Sequence, residues 1–298
     1  MFKKVLIIGC GLIGSSILRA IKSKKLSKKI YVFEKSKKNI SKIKKINSNC
    51  KFIKNINGDM SDVDLVIICA HMSEYKNIIF KLNKSLNVNC LITDVSSTKQ
   101  NVIKLKNQIL NKSLHWISSH PIAGSEVSGP EYGNKNLFLN KWCVLIKEKK
   151  QSFKKIHLLK KFWKRLGSKV VLMKPSDHDK IFSITSHLPH LIAYNLIKTA
   201  QDSQKLQRKN LIQYSAGGLR DFSRIAASNE IMWRDIFFNN SSIIKAINLF
   251  SKNLKSFKKI IKNKNNKKLL SRLSNSKKVR TQIVQLKQDV AKPDFGRE

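Results

Sequence analysis

A few short blocks of this 298-residue chain gather the side chains that could do chemistry. Ser119-His120-Pro121-Ile122-Ala123-Gly124-Ser125-Glu126 sets an imidazole against a proline, which fixes the local backbone direction. Imidazole suits the removal of a hydroxyl proton while hydride leaves the same carbon. A lone histidine in such a setting is as often structural as catalytic. Asp94-Val95-Ser96-Ser97-Thr98-Lys99 places hydroxyls at a strand-to-helix junction, where by default they cap free amides. On a ligand rim the same hydroxyls would hold a substrate or a catalytic group. Ser186-His187-Leu188-Pro189-His190 puts two imidazoles three positions apart on one helical face. Zinc would need a further ligand at metal-site spacing and none presents itself, so no metal is expected and hydrogen bonding in a cleft is the favoured role. Gly217-Gly218-Leu219-Arg220-Asp221-Phe222-Ser223-Arg224-Ile225-Ala226 and Ile231-Met232-Trp233-Arg234-Asp235-Ile236 interleave arginine and aspartate with aromatic residues. Guanidinium there suits bidentate carboxylate binding, with a structural ion-pair network as the alternative. His71, His115, His157 and His178 have no comparable neighbourhood and are expected to be ordinary.

The N-terminus carries the plainest ligand signal. The apolar run Val5 to Ile8 leads into Gly9-Cys10-Gly11-Leu12-Ile13-Gly14, a G-x-G-x-x-G spacing, and then into a helix-compatible segment. Gly9 permits the turn, Gly11 lets backbone approach a pyrophosphate, and Gly14 lets the helix pack on the sheet. A second apolar run, Ile30–Phe33, ends in Glu34, where a carboxylate can accept hydrogen bonds from an adenosine ribose. These residues predict a dinucleotide site. Glu34 favours NAD, because a carboxylate repels a 2′-phosphate, while Lys35, Lys37 and Lys38 leave NADP compatible.

The elements that must position these groups alternate in the first half of the chain, the pattern of a parallel sheet with crossover helices. Strands are expected at residues 4–8, 30–33, 52–53, 65–69, 90–93, 116–117, 142–146 and 169–173, with helices at 73–83 and 99–110 among those between. The strand ends at Gly9, Glu34, Ala70, Asp94 and Ser119 should converge on one rim. Past Pro175 the pattern turns helical, with Ser176-Asp177-His178-Asp179 expected to cap a helix. The expected class is α/β: a Rossmann-type dinucleotide-binding domain over 1–174, then an all-α substrate and dimerisation domain over 175–298. In that second domain Ile243, Ile247, Phe250, Leu254, Phe257 and Ile261 form an apolar seam, repeated at Val279, Ile283, Leu286 and Val290. A helix of the same chain or the partner of an interwound homodimer would cover it. Lys292-Pro293-Asp294-Phe295-Gly296-Arg297-Glu298 reads as an extended tail.

Composition narrows the class further. Hydrophobic residues make up 41%, ordinary for a globular protein, and no apolar stretch approaches bilayer length. No membrane partner is expected. Glycines break the N-terminal apolar run and no cleavage site follows, so a cytoplasmic location is expected. The five cysteines are scattered and odd in number, which suits reduced thiols. A net charge of +42 raises the question of nucleic acid, but the lysines lie in every segment without interleaved aromatics. No specific nucleic-acid partner is therefore expected, and the positive field would attract an anionic substrate.

Gly9–Ser15, Asp94–Lys99, His120–Glu126, Ser186–His190 and Gly217–Asp235 occur in the order and wording of the prephenate/arogenate (cyclohexadienyl) dehydrogenases of tyrosine biosynthesis, and the chain resembles that family over essentially its whole length. The resemblance implies NAD(P)-dependent oxidative decarboxylation of prephenate to 4-hydroxyphenylpyruvate, or of arogenate to tyrosine. It implies that His120 is the catalytic histidine, that Ser97 orients it and touches the substrate hydroxyl, and that Arg224 binds the ring carboxylate. Ser125, Glu126, His187, His190, Asp221 and Trp233 then line or gate the substrate pocket, and Gly217 meets the substrate or an inhibitor. Ala70-His71-Met72 departs from the family, whose members continue there with an apolar residue and Pro. Another two-domain β-hydroxyacid dehydrogenase is the alternative enzyme, although those depend on a catalytic lysine in the helical domain. A basic nucleic-acid-binding protein is the remaining alternative.

Overall fold

A computed structural model describes residues 1–46, 50–58, 60–208 and 210–288. The chain divides into two compact units, Met1–His187 with Ala227–Ser241, and Leu188–Ala226 with the segment from Ser242 onward. The first unit opens with β1 (Phe2–Ile8), α1 (Leu12–Ser23), β2 (Ser27–Phe33), α2 (Lys37–Ile46), β3 (Lys51–Phe52) and β4 (Leu65–Ile68). It continues through α3 (Tyr75–Leu82), β5 (Leu91–Asp94), α4 (Gln100–Ile109), β6 (His115–Trp116) and β7 (Ser119–Pro121). Then come β8 (Trp142–Ile146), α5 (Phe153–Leu166) and β9 (Lys169–Met173).

Six of these strands form an all-parallel sheet in the order β3-β2-β1-β4-β5-β6, which reverses direction between β1 and β4. Successive side chains of β1 point to opposite faces. Val5 and Ile7 join one buried cluster with α1 and α5, while Leu6 and Ile8 join another with α3 and α4. Helices on both faces are what such continuous apolar strands require. Ile8 pairs with Phe33 and Ile68, and Ile68 with Asp94, so these four strand ends lie level and Gly9, Glu34, Cys69 and Val95 follow at one edge.

The remaining strands depart from the expected single sheet. β7 pairs antiparallel with β8, and β8 pairs parallel with β9, in a separate three-stranded sheet. Ser119 opens that sheet but stays tied to the rim, because its Oγ donates to the Asp94 carbonyl at 2.8 Å and meets Thr93 Oγ1 at 2.9 Å. His120 therefore sits within a strand, opposite Val144, rather than at a strand end.

After β9 the described residues are helical: α6 (Pro175–Phe182), a π-helical turn (Ser183–His187), α7 (Leu188–Gln207), α8 (Gly217–Ala226), α9 (Glu230–Asn239), α10 (Ser242–Lys262) and α11 (Asn266–Gln285). α6 and α9 belong to the first unit and the other four to the second. α6 begins at Pro175, whose fixed φ suits a first helical position. Ser176–Asp179 consequently lie inside the helix instead of capping it. In the second unit α10 and α11 form a hairpin, with Asn265 accepting from Lys268 N at 3.0 Å and Arg272 over the Phe257 ring at 5.3 Å. Val290 and the 292–298 tail fall outside the described residues.

Candidate active site

His120 is buried, and its Nδ1 lies 2.8 Å from Nε2 of His178 on α6. His178 Nδ1 is in turn 2.8 Å from Asp179 Oδ1. Phe182, one turn further along α6, packs against both imidazoles, with ring centroids 4.9 Å from His120 and 4.5 Å from His178. Burial pushes the His120 pKa well below the ordinary histidine value, and the charges of His178, Lys99 and His187 push the same way. The ring is therefore neutral at physiological pH, the form that can accept a proton.

The strand carrying His120 is pinned by a buried ammonium. Lys99 Nζ donates to Asp94 Oδ2 at 2.6 Å, to Ser96 Oγ at 3.0 Å and to the Ser119 carbonyl at 2.8 Å. An ammonium has three protons, and each finds an acceptor. Burial alone would raise the Asp94 pKa, but the Lys99 charge and the bonds from Lys99 and Ser96 hold it below the usual value. The pair is thus ionised, with Trp116 Nε1 donating to the second carboxylate oxygen at 3.1 Å. The amides that Ser and Thr were expected to cap are satisfied from elsewhere. Asp179 accepts from Lys99 N at 2.8 Å and from Gln100 N at 2.9 Å, closing the N-terminus of α4.

The glycine loop has the shape a dinucleotide needs. Gly9 has φ +81°, and a Cβ there would meet Ala70 N at 2.9 Å, so the loop lies against the end of β4. A Cβ at Gly14 would land on the Gly9 carbonyl oxygen. A Cβ at Gly11 meets nothing within 4 Å, which leaves space beside the loop for a pyrophosphate. The first-turn amides of α1, from Leu12 to Gly14, lack intrahelical acceptors and carry the positive end of the helix dipole. Glu34 Oε2 accepts from Cys10 N at 2.8 Å and Oε1 from Ser36 N at 2.9 Å, which anchors the carboxylate at the end of β2. The residues present fit a dinucleotide.

The other expected site residues fall into two groups. Ser97 is half-buried on the loop between β5 and α4, and among the described residues it makes no hydrogen bond to His120, whose ring is oriented by His178 instead. Ser125 is exposed and Glu126 half-buried on the loop after β7. His187 and Trp233 are buried together with their rings edge to face at 6.1 Å, and Asn240 Nδ2 lies 2.9 Å from His187 Nδ1. Asp235 on α9 accepts from Ser73 N at 2.9 Å, which fastens that helix to the segment after β4. His190 lies on α7 and Gly217, Asp221 and Arg224 on α8, all in the second unit. Asp221 and Arg224 are one turn apart on that helix.

Residues 17–172 match the model of the prephenate dehydrogenase nucleotide-binding domain, and residues 174–275 that of the prephenate dehydrogenase dimerization domain. The chain belongs to the prephenate dehydrogenase family. Cyclohexadienyl dehydrogenase of Zymomonas mobilis is 31% identical over 94% of this chain and 96% of its own length. Prephenate dehydrogenase of Bacillus subtilis is 32% identical over 80% of this chain and 65% of its own. A crystal structure of A. aeolicus prephenate dehydrogenase in complex with hydroxyphenyl propionate and NAD+ is 34% identical, covers 95% of this chain and 99% of that one, and has a TM-score of 0.88.

Within that family frame, His178, Asp179 and Lys99 are the site residues that sequence reasoning missed. His178 stood among the ordinary histidines, although the adjacent pair His178-Asp179 carried a signal: a carboxylate next to an imidazole on a helix that opens at Pro175. Lys99 is a lone lysine among many, and nothing in its type marks it as buried.

Proposed function

We propose that this protein oxidatively decarboxylates prephenate to 4-hydroxyphenylpyruvate, or arogenate to tyrosine, with NAD as the hydride acceptor, as a step of tyrosine biosynthesis. The observation that carries this reading is a buried, neutral His120 tied to the same sheet rim as a dinucleotide-shaped glycine loop. Bound NAD supplies the acceptor for the hydride that leaves C4 of the substrate ring. His120 takes the C4 hydroxyl proton as that hydride departs, so C4 becomes a carbonyl. The carbonyl is an electron sink: the bond from C1 to its carboxylate breaks, carbon dioxide leaves, and the electron pair closes the aromatic ring and charges the oxygen. The proton held on His120 returns to that oxygen to give the phenol, and the ring nitrogen is bare again for the next turnover.

Around this centre Ser97 touches the substrate hydroxyl, and Arg224 supplies the guanidinium for the ring carboxylate. Ser125, Glu126, His187, His190, Asp221 and Trp233 line or gate the pocket, and Gly217 meets the substrate. Gly9–Gly14 and Glu34 hold the dinucleotide, with residues 1–174 as the nucleotide-binding domain and 175–298 as the substrate and dimerisation domain. A second copy of this chain covers the helical hairpin, where Leu254, Ile261, Leu270, Val279, Ile283 and Leu286 are exposed in the single chain. No helix among the described residues is long and apolar enough to cross a membrane. The cytoplasm, with its NAD pool, is the compartment this reading assigns. The spread lysines are given no nucleic-acid partner; their field favours dianionic substrates.

The test is a spectrophotometric assay that pairs prephenate and arogenate with NAD and NADP. NADH should form with at least one of the two substrates, and His120→Asn should lower kcat by about 10²–10⁴-fold with NAD affinity retained, the range for losing a general base. Absence of NADH with either substrate, or an Asn variant turning over near the wild-type rate, would overturn the reading.

A further inference from the structure

His120 has two ring nitrogens, and only the one without a proton can act as a base. Which nitrogen that is follows from the groups behind it. Asp179 accepts from Lys99 N, Gln100 N and His178 Nδ1. An ionised carboxylate has no proton to give, so His178 Nδ1 must be the donor. A neutral His178 then has a bare Nε2, and the 2.8 Å contact to His120 is satisfied only if His120 Nδ1 carries the proton. His120 Nε2 is left as a lone pair.

We propose that His178 and Asp179 are positioning residues that fix His120 in the Nδ1–H tautomer, with Nε2 free to take the substrate proton. This rests on the base role assigned to His120 above. The device is rigid as well as directional. Both imidazoles and Asp179 are buried, and Phe182 packs on the two rings at once. The same Asp179 holds the amides of Lys99 and Gln100, so the Ser97 loop and the base share one anchor.

The charges around the pair keep the proton pattern in place. Lys99, His178 and His187 face His120, and Asp179, Asp94 and Lys99 act on His178. Burial lowers the pKa of His178, and Lys99 adds to this against the opposing pull of Asp179 and Asp94, so it stays neutral near physiological pH. Burial would raise Asp179, but its bonds from His178 and from the Gln100 and Lys99 amides hold it below the usual value. Protonating His178 in acid would place a proton on both of its nitrogens. His120 would then have to accept through Nδ1 and carry its proton on Nε2, which abolishes the base.

The tautomer can be read directly in long-range 1H–15N spectra of the whole protein labelled at its histidines, with the His120 signals assigned by their loss in His120→Asn. A protonated Nδ1 and an unprotonated Nε2 are expected at neutral pH. In turnover, His178→Leu should lower kcat by about 10- to 10²-fold, a part of what a general base contributes, with KM for NAD unchanged. His178→Gln, whose amide oxygen can accept from His120 Nδ1, should recover most of that loss. Asp179→Asn, which can present an amide proton to His178 Nδ1 and removes the carboxylate that favours its protonation, should lower kcat and move the acid limb of the profile to lower pH. A wild-type His120 protonated on Nε2 would overturn the proposal, and so would a folded His178→Leu with kcat within about two-fold of wild type. The NMR arm needs no turnover, so it separates failure of the tautomer argument from failure of the base assignment.

Discussion

Lys99→Met tests the buried ammonium that pins the catalytic strand. Lys99 and Asp94 are both fully buried, with 0% of either side chain exposed, so solvent can neither screen the pair nor replace a missing partner. Methionine fills a similar volume but leaves the Asp94 carboxylate with no counter-charge, and removes the donors to Ser96 and to the Ser119 carbonyl. Breaking a buried pair by removing one partner costs about 3–5 kcal/mol. For a unit of this size each kcal/mol is worth roughly 2–4 °C, so Tm should fall by about 10 °C, measured by circular dichroism. The pH dependence gives the sign. In the wild type, Asp94 has a depressed folded pKa, so its contribution is complete above the unfolded value near 3.8 and is lost as pH falls through the lower folded value. In the variant the lone buried carboxylate has a raised pKa, and the folded state binds a proton that the unfolded state does not. The penalty therefore shrinks as pH is lowered from 8 to 5.5, by at most about 1.4 kcal/mol per pH unit. Asp94→Asn added to Lys99→Met removes the stranded charge and should restore much of the loss. A Tm drop below about 3 °C, or a drop that does not change with pH, would refute the ionised-pair argument.

Gly14→Ala should raise KM for NAD at least about ten-fold while leaving KM for prephenate or arogenate within about two-fold, because the new Cβ lands on the Gly9 carbonyl and forces the loop off the helix. Initial-rate kinetics with each substrate varied in turn would show it, and an unchanged NAD KM would count against the loop assignment. Arg224→Ala should act mainly on substrate KM, raising it by about 10²-fold as expected for loss of a charge-assisted carboxylate contact, with NAD binding intact. An unchanged substrate KM would remove Arg224 from the carboxylate role.

Much of the first unit was legible because its signals are local. The glycine spacing, the apolar run before it and Glu34 after the next strand are determined within one βαβ stretch, and the backbone bears them out in the level ends of β1, β2, β4 and β5. The helical character beyond Pro175 was legible for the same reason, since a fixed φ and a change of apolar period need no knowledge of partners. Helical character does not say which core a helix joins. α6 and α9 pack with the sheet-bearing unit while α7, α8, α10 and α11 gather in the other, a division set by burial and not by element type. The second sheet escaped notice because β7 is only Ser119–Pro121, too short to show an alternation, and its antiparallel pairing with β8 is a tertiary fact.

The polar machinery behind His120 was hidden for a deeper reason. Asp94-Val95-Ser96-Ser97-Thr98-Lys99 looks like a self-contained cap, because serine and threonine beside a helix start usually satisfy the free amides themselves. Here an aspartate 80 positions away does it, and that leaves Ser96 and Lys99 free to build the ion pair beneath Ser119. His178 resembles any helical histidine until its helix is laid against β7, at which point its proton decides which nitrogen of His120 is bare. Hydrophobic period records which face of an element is buried; it does not record which buried polar atoms meet, since every such meeting is compatible with many sequences. The residues proposed to touch substrate thus stand out in their sequence blocks, while those proposed to set the protonation of the base become visible only when donors and acceptors are counted in three dimensions.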